Sequence, residues 1–506
     1  MLTEKDLYQE YDQYKRLAIL KLKQGQWRDG FSLMNLLCVL ARQYYLAWTI
    51  PEFEDLLYGI SKEEIGIRKE KFAKQVKKRI VFYDTQATDN YVLSQQYLAA
   101  ITSWNVELLY LTTKDVNDPQ RKMIKSFLES HDGITVCKIS EQLNELERAR
   151  AIVNKIIEFE PEKCFIQTHS FDVAGVIAFG ALENIETYFI ETSDHILWLG
   201  TKAFDYYINF RSLGYNTCVQ HRNIAKEKLL MQPFYPITYG KPYQGIPYIN
   251  KASIKILSGA RLEKIYGAEN QYFRMVSTLL KTHPEIEFYY IGAGVYGKLA
   301  QTGYLEQIIR EFELGQRFHV LGYRSDIVEL MDHMDIYMGT YPIGGGLMTQ
   351  IAASQGIPIL QFVSEGLSSS VGEFIDCTNR DQSFVFKEED LFYEEAKKLI
   401  ENSGYRKQQG ENLKKAILTE EQFNKQLFEL IFEGRSHYVP SYYKTDCSKN
   451  RENQIEVENF CTHDHSRIIV KNQYVRKKEP IKYLLNCIDF LIHVDKKWLL
   501  KKIYGK

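Results

Sequence analysis

From residue 79 onward, short apolar runs alternate with longer segments whose apolar residues recur at helical spacing. The runs at 80–83, 106–111, 134–137, 164–166 and 187–190 predict strands, and the segments at 91–103, 118–130, 141–159 and 173–182 predict helices. Strands that alternate with helices form right-handed βαβ units, in which helices cover both faces of a parallel sheet. The pattern therefore predicts an α/β domain over 79–235.

A second alternation of the same kind begins after residue 253. It predicts strands at 254–257, 286–291, 317–321, 334–338 and 357–362, and helices at 269–282, 305–312, 326–333 and 347–355. The stretch before it is rich in Tyr and Gly and contains Pro233, Pro236, Pro242 and Pro247. Proline clusters interrupt regular structure, so we interpret 236–252 as a linker. The predicted fold class is α/β, with two Rossmann-like domains at 79–235 and 253–435.

The two ends of the chain differ from these domains. Residues 1–78 lack strand-like runs and predict a helical N-terminal extension, either packed on the first domain or used as an oligomer contact. Residues 436–506 predict a C-terminal tail that is basic from 467, with apolar patches at 483–485 and 498–500. Such a segment can bind an anionic membrane surface, and it can equally be a helix packed on the first domain.

Three consecutive glycines, Gly344, Gly345 and Gly346, lie between the strand predicted at 334–338 and the helix predicted at 347–355. A glycine run before a helix N-terminus lets backbone N–H groups and the positive end of the helix dipole face an anion, typically a phosphate. A tight turn without a ligand produces the same pattern. Both interpretations stay open on this stretch alone.

Composition narrows the classes of protein that fit. A net charge of −1 over 506 residues provides no basic field for nucleic acid. The 8 cysteines form no C-x-x-C pair, which favours reduced thiols in a cytoplasmic protein over a zinc ribbon or a redox motif. The chain does not open with a signal-peptide pattern, and its apolar runs are shorter than the roughly 18–20 residues that span a bilayer.

Polar side chains follow the predicted strands of the first domain, at the edge where parallel sheets bind ligands. Asp84 and Gln86 follow the first strand, and His169 follows the fourth. We interpret these three residues as candidates for acceptor binding. Asp194 and His195 follow the fifth strand, and a histidine that titrates near neutral pH suits a general base. Contact with a donor phosphate is the alternative role for His195.

Four segments resemble the GT-B glycosyltransferases. Residues 258–267, Ser-Gly-Ala-Arg-Leu-Glu-Lys-Ile-Tyr-Gly, resemble the segment that opens the donor domain of that superfamily. Residues 320–338 are similar to its nucleotide-base loop and following strand. Residues 342–358 resemble its diphosphate loop, as found in the O- and N-glucosyl or GlcNAc transferase group. Residues 194–207 resemble a His-Ala-Asp-His-x-Phe-Trp-Leu-Gly…Asp-Tyr segment of bacterial sugar transferases. The likeness extends over about 80–435.

The resemblance implies a donor site for a nucleotide sugar, with UDP as the favoured nucleotide. Arg261 and Lys264 would neutralise the leaving diphosphate beside the backbone N–H groups of the glycine run, because cations stabilise developing negative charge without a proton transfer. Tyr323 would back the nucleotide base. The donor-binding residues implied in this way are Gly259, Arg261, Lys264, Gly292, Gly322, Tyr323, Gly344, Gly345, Gly346 and Gln350.

One position departs from the pattern of the superfamily. Ile351 stands where many GT-B enzymes carry a Glu or Asp that holds the donor ribose. This departure leaves ribose recognition, the stereochemical outcome and activity itself open, and it favours an inverting or non-standard donor site. The sequence contains no Asp-x-Asp metal clamp, so we expect no metal and no cofactor besides the nucleotide-sugar co-substrate.

The implied activity is that of a hexosyltransferase-type glycosyltransferase at the cytoplasmic face of a membrane. The acceptor would be a glycan or a lipid-linked sugar, as in capsule or other polysaccharide biosynthesis, or a protein. The first alternative is a catalytically silent GT-B subunit that stabilises or activates a partner transferase. The second is another two-domain nucleotide-sugar enzyme, such as an epimerase or a phosphorylase. A homo- or hetero-oligomer fits any of these.

Overall fold

A computed structural model describes residues 2–66, 77–89, 93–246, 253–292, 303–364, 367–378, 381, 383–462 and 464–493. In this part of the chain, two parallel β-sheets flanked by helices confirm the predicted pair of α/β domains. The predicted apolar patch at 498–500 and the linker residues 247–252 lie outside the described residues.

The N-terminal extension is helical and packs on the first domain. It consists of α1 (Glu4–Lys23), α2 (Trp27–Gln43) and α3 (Pro51–Ile60), followed by a π-helical turn at Ser61–Ile65. A capping box between Thr3 and Asp6 starts α1. One face of α2 is apolar, and Leu33 and Leu37 on that face belong to the same buried cluster as Ile177 of the first domain. The extension therefore contributes to the core of the first domain.

The first sheet is parallel and has the order β3-β2-β1-β4-β5-β6-β7 in the described part of the chain. Its elements are β1 (Arg79–Asp84), α4 (Ser94–Ser103), β2 (Glu107–Thr112), α5 (Lys122–Ser130), β3 (Ile134–Lys138), α6 (Glu145–Phe159), β4 (Lys163–Gln167), α7 (Val173–Ala181), β5 (Glu186–Ile190), β6 (Tyr206–Asn209), α8 (Ser212–Gln220) and β7 (Leu229–Met231). The central strand β4 is buried along its whole length, as expected when helices cover both faces of a sheet.

The second sheet is also parallel, with the order β10-β9-β8-β11-β12-β13 in the described residues. Its domain contains β8 (Ile254–Gly259), α9 (Gln271–Thr282), β9 (Ile286–Ile291), α10 (Tyr304–Glu311), β10 (Phe318–Gly322), α11 (Ile327–Met331), β11 (Ile336–Met338), α12 (Gly346–Ser354), β12 (Ile359–Phe362), β13 (Val385–Phe386), α13 (Glu389–Glu401) and α14 (Ser403–Ala416). A 3-10 helix at Leu367–Phe374 lies between β12 and β13.

After α14 the chain returns to the first domain. The remaining helices are α15 (Glu420–Phe432), α16 (Ser448–Val457), α17 (Asp464–Lys471), α18 (Gln473–Lys478) and α19 (Pro480–His493). Phe423 of α15 packs edge-to-face on Tyr97 of α4, with ring centroids 5.4 Å apart. Ile469 and Val475 are buried in the cluster that holds the face of α2. The N-terminal extension, α17 and α18 therefore form one helical layer on the first domain, whereas Val457 of α16 is buried among residues of the second domain.

Among the described residues, no helix is both long enough and apolar enough to cross a bilayer. The basic tail is divided between buried and exposed helices. α17 and α18 bury Ile468, Ile469 and Val475, whereas α19 exposes apolar side chains. α17 and α18 therefore fit the alternative in which the tail packs on the first domain. α19 differs because one of its faces carries exposed apolar side chains.

Candidate functional site

The carboxyl ends of the two sheets border a cleft that contains a cavity of about 580 Å³. Parallel sheets bind ligands at these ends, so the cavity lies where a two-domain α/β enzyme is expected to act. The first domain contributes Asp194, His195, Phe210 and Arg211 to its wall, and the second contributes Tyr323, Leu347, Ile351 and Phe374. The cavity therefore brings candidate chemistry from both domains together.

The first wall is organised around Asp194, which is buried. Its Oδ1 lies 3.1 Å from Nδ1 of His195, and its Oδ2 accepts a hydrogen bond of 2.5 Å from Nε of Arg211. Burial by itself would raise the pKa of Asp194, but the charge of Arg211 and the hydrogen bonds from His195 and Arg211 hold that pKa below its usual range. The His195 side chain is 43% exposed and lines the cavity, so it can meet a substrate.

The loop that carries His195 is fixed by a second buried carboxylate. Glu191 accepts a hydrogen bond of 2.9 Å from Nε1 of Trp198 and pairs with Arg222. Burial raises the pKa of Glu191 to about 7, against the opposing charge of Arg222. Gly200 has a φ of 110°, and a Cβ there would lie 2.5 Å from the ring of Phe204. Most of the segment 194–207 therefore shapes the loop, and Asp194 and His195 are the members that line the cavity.

The predicted diphosphate site assembles around Lys264. Its Nζ donates a hydrogen bond of 3.2 Å to the carbonyl of Gly344, and its own carbonyl accepts one of 3.1 Å from the N–H of Ile343. Burial, and secondarily the charge of Arg261, lower the pKa of Lys264 to about 8. Arg261 is exposed. The structure thus places a lysine with a weakened proton affinity beside the glycine run, and the donor role of Arg261 remains a prediction.

The three glycines have different surroundings. A Cβ on Gly344 would lie 2.6 Å from Val371, and a Cβ on Gly346 would lie 2.3 Å from the ring of Phe374. Packing of the 3-10 helix at Leu367–Phe374 therefore explains why both positions lack a side chain. A Cβ on Gly345 would have no neighbour closer than 3.8 Å. The glycine run thus has a packing role besides any role in binding an anion.

Other predicted donor residues lie at the carboxyl ends of β8, β9 and β10. A Cβ on Gly259 would lie 2.2 Å from Ile291, so this glycine permits close packing of β8 on β9. The N–H of Gly292 donates a hydrogen bond of 2.7 Å to the carbonyl of Gly322. Tyr323 follows at once, is 62% exposed and lines the cavity. Of this group, Tyr323 is the side chain placed to contact a ligand.

Gln350 and Ile351 lie next to each other on α12 but face different surroundings. The Gln350 amide is buried and donates hydrogen bonds to the carbonyls of Phe234 at 3.2 Å and Phe374 at 2.8 Å. It therefore links the second domain to the segment that leaves the first. Ile351 lines the cavity. An apolar side chain thus occupies the wall where the resemblance implies an acidic one, and the donor role of Gln350 remains a prediction.

The three candidates for acceptor binding are not among the described residues that line the cavity. Asp84 is buried, and its carboxylate accepts hydrogen bonds from the N–H groups of Gln86 and Ala87, both at 2.8 Å. The Gln86 amide donates to the carbonyl of Thr168. Burial lowers the pKa of His169. These residues hold the loops after β1 and β4 in place, and their acceptor role remains a prediction.

Sequence reasoning missed three parts of the cavity wall. Arg211 follows β6, a strand that the periodicity did not reveal. Residues 237–239 and Lys241 of the predicted linker line the cavity, as does Phe234 before them. Phe374 ends the 3-10 helix, which was also not predicted. The signal available for the linker was its Tyr- and Pro-rich composition, which we interpreted only as a connection.

Among the described residues, no group of three or more His, Cys, Asp or Glu side chains is placed to hold a metal ion. The expectation of a metal-independent reaction remains untested.

No protein-family model matches the chain, and no curated protein matches it in sequence. A mutant of Thermobaculum terrenum O-GlcNAc transferase is similar in structure, with a TM-score of 0.54 and 12% identity over 88% of this chain and 82% of that one. A glycosyltransferase from Rickettsia africae has a TM-score of 0.51 and 10% identity over 71% of this chain and 98% of its own. Anabaena HepE in complex with UDP has a TM-score of 0.50 and 13% identity over 70% and 100% of the two chains. The chain therefore has the GT-B fold, as predicted.

Proposed function

We propose that this protein is a glycosyltransferase that moves a sugar from a nucleotide-sugar donor, with UDP as the nucleotide, to an acceptor hydroxyl. One observation carries the proposal: one cavity between the domains is lined by His195 from one side and by Tyr323 and Leu347 from the other. Leu347 follows the glycine run that Lys264 contacts. We place the base on the side of the first domain and the leaving diphosphate beside the glycine run, although Lys264 and the three glycines are not among the described residues that line this cavity.

The proposed reaction uses these groups in a single displacement. The acceptor oxygen forms a bond to the anomeric carbon of the sugar, and its proton passes to Nε2 of His195. The bond between the anomeric carbon and the diphosphate oxygen breaks, and its electron pair leaves with UDP. Lys264, Arg261 and the backbone N–H groups of the glycine run stabilise the charge that develops there. A displacement of this kind inverts the anomeric centre.

One similar structure supports UDP as the nucleotide, because Anabaena HepE is described in complex with UDP. For the acceptor we propose a glycan or lipid-linked sugar at the cytoplasmic face of a membrane, as in polysaccharide or capsule assembly. A protein acceptor is the alternative, and product analysis distinguishes the two.

The test combines ligand binding with product analysis. With UDP, GDP and CMP in separate thermal-shift measurements, we expect UDP at 100 times its Kd to stabilise the protein by about 2.7 kcal/mol. Mass spectrometry after incubation with candidate UDP-sugars and host lysate should reveal a glycosylated product. UDP binding without any product would instead support the silent-subunit alternative, for which Ile351 in the cavity wall is the favouring observation. Absence of binding by every nucleotide contradicts the donor site.

We also propose that α19 binds an anionic membrane surface. Its exposed apolar side chains recur at the spacing of one helical face: Ile481, Leu484, Leu485 and Ile488, which are 76%, 59%, 61% and 45% exposed. The residues Arg476, Lys477 and Lys478, which precede this helix, are exposed cations. An apolar face beside basic residues is typical of helices that lie in a membrane interface, and the cations complement anionic headgroups.

The variant Leu484→Glu tests this surface. It replaces an apolar side chain by a carboxylate, which the anionic headgroups repel. We therefore expect about tenfold or greater loss of binding to phosphatidylglycerol vesicles in a sedimentation assay. The matched control is Leu391→Glu, because Leu391 on α13 is 47% exposed in the second domain. Phosphatidylcholine vesicles should bind weakly in all cases. Equal vesicle binding by the two variants would contradict the proposal. A native protein that is a dimer, and that Leu484→Glu converts to a monomer, would also contradict it, because the apolar face would then be a subunit contact.

A further inference from the structure

We propose that Arg211 is a positioning residue that fixes the orientation and the tautomer of His195 through Asp194. Only the role of His195 as a base depends on the proposed function; its orientation and tautomer do not. Nε of Arg211 donates to Oδ2 of Asp194 at 2.5 Å, and Nη2 donates to Oδ1 at 2.9 Å. The same Oδ1 lies 3.1 Å from Nδ1 of His195. The three side chains therefore form a chain that ends at the cavity.

Burial makes this arrangement specific. Asp194 is 1% exposed and Arg211 is 5% exposed, so water cannot easily replace either partner. A carboxylate held by two parallel N–H···O bonds stays ionised and can only accept hydrogen bonds. Nδ1 of His195 must then be the donor. In the neutral ring this leaves the lone pair on Nε2, which is the atom that a base facing the cavity needs.

The second domain holds Arg211 from the opposite side. Nη1 donates to the carbonyl of Ser370 at 2.9 Å and lies 3.2 Å from its Oγ. The guanidinium carbon is 4.3 Å from the ring centroid of Phe374. Both residues belong to the 3-10 helix at Leu367–Phe374. The orientation of a first-domain histidine therefore depends on contact with the donor domain, so the base is set only when the domains are together.

Nitrogen NMR of protein labelled at histidine measures the tautomer directly, without requiring activity. His195→Gln assigns the signal, and alkaline buffer keeps the ring neutral. We expect the Nδ1–H tautomer in the native protein and a mixture of tautomers in Arg211→Met. We further expect kcat to fall about tenfold to a hundredfold in this variant, with KM for the donor nearly unchanged, as for a residue coupled to the base but not to the nucleotide.

Two further variants separate positioning from folding. Arg211→Lys keeps the buried charge but loses the planar fork, so we expect it to fold and to show an intermediate tautomer population. Arg121→Met removes another buried guanidinium of the first domain, one that donates to the main-chain carbonyl of Asp115 and does not line the cavity, and should keep the native tautomer. A native tautomer in both Arg211 variants would overturn the proposal. A tautomer change in a protein without transferase activity would uphold it and refute the proposed function.

Discussion

Replacing His195 by alanine is expected to lower the rate of sugar transfer by about a hundredfold to ten thousandfold, while the affinity for UDP stays within about twofold. The reason is that His195 lines the cavity from the first domain, whereas the predicted diphosphate site lies in the second. The loss should therefore appear in kcat. Single-turnover kinetics with the UDP-sugar identified by product analysis, together with UDP titration, measure the two quantities separately.

The control for this variant is His131→Ala. His131 is an exposed histidine of the first domain, and its Nδ1 lies 2.9 Å from the carbonyl of Phe127. The His131→Ala variant should transfer sugar at the native rate. Native turnover by His195→Ala would remove His195 as the base. Loss of UDP binding in the same variant would favour the alternative in which the imidazole contacts the donor phosphate.

Replacing Lys264 by methionine is expected to weaken UDP binding by about tenfold to a hundredfold, the effect of losing one charge-assisted hydrogen bond. Methionine keeps most of the volume and removes the charge, so the fold should persist. Calorimetric titration with UDP measures the change. Lys255→Met is the matched control, because Lys255 lies near the start of β8, whereas Lys264 follows its end. Equal affinities in the two variants would reject the donor site as placed.

The same lysine predicts a pH dependence of binding. Its pKa of about 8 means that the free protein loses this charge as pH rises above 8. A diphosphate favours the protonated amine, so binding near pH 8 should take up protons and affinity should fall at higher pH. Titrations in buffers of different ionisation enthalpy measure this uptake. Proton release, or a pH-independent affinity, would show that the amine does not contact the diphosphate.

The two sheets could be predicted because their central strands are continuous apolar runs. β9 was predicted with its observed bounds, Ile286–Ile291, since it is buried throughout and followed by glycine. The β6–α8–β7 region was missed. β6 has four residues and β7 has three, and α8 contains polar residues such as Asn216 and Thr217 on its buried face. Short strands and polar buried faces carry little periodic signal.

The candidate site was predictable only in the parts that its local sequence determines. The glycine run at 344–346 and the Asp194–His195 pair are patterns of adjacent residues. Arg211 meets Ser370 across 159 positions of sequence, and Gln350 meets Phe234 across 116. Contacts over such separations depend on how the two domains pack against each other. The spacing of apolar and polar residues within one domain does not predict that packing. The linker residues in the cavity wall could not be predicted for the same reason.

The return of the last helices to the first domain has a consequence for biosynthesis. When the ribosome has finished the first sheet, the partners that α4 and α2 need, among them Phe423 and Ile469, have not yet been made. The strands of the second domain are made before these partners, because β8 to β13 lie between residues 254 and 386. The nascent first domain therefore keeps part of its apolar surface uncovered until nearly the whole polypeptide has left the ribosome.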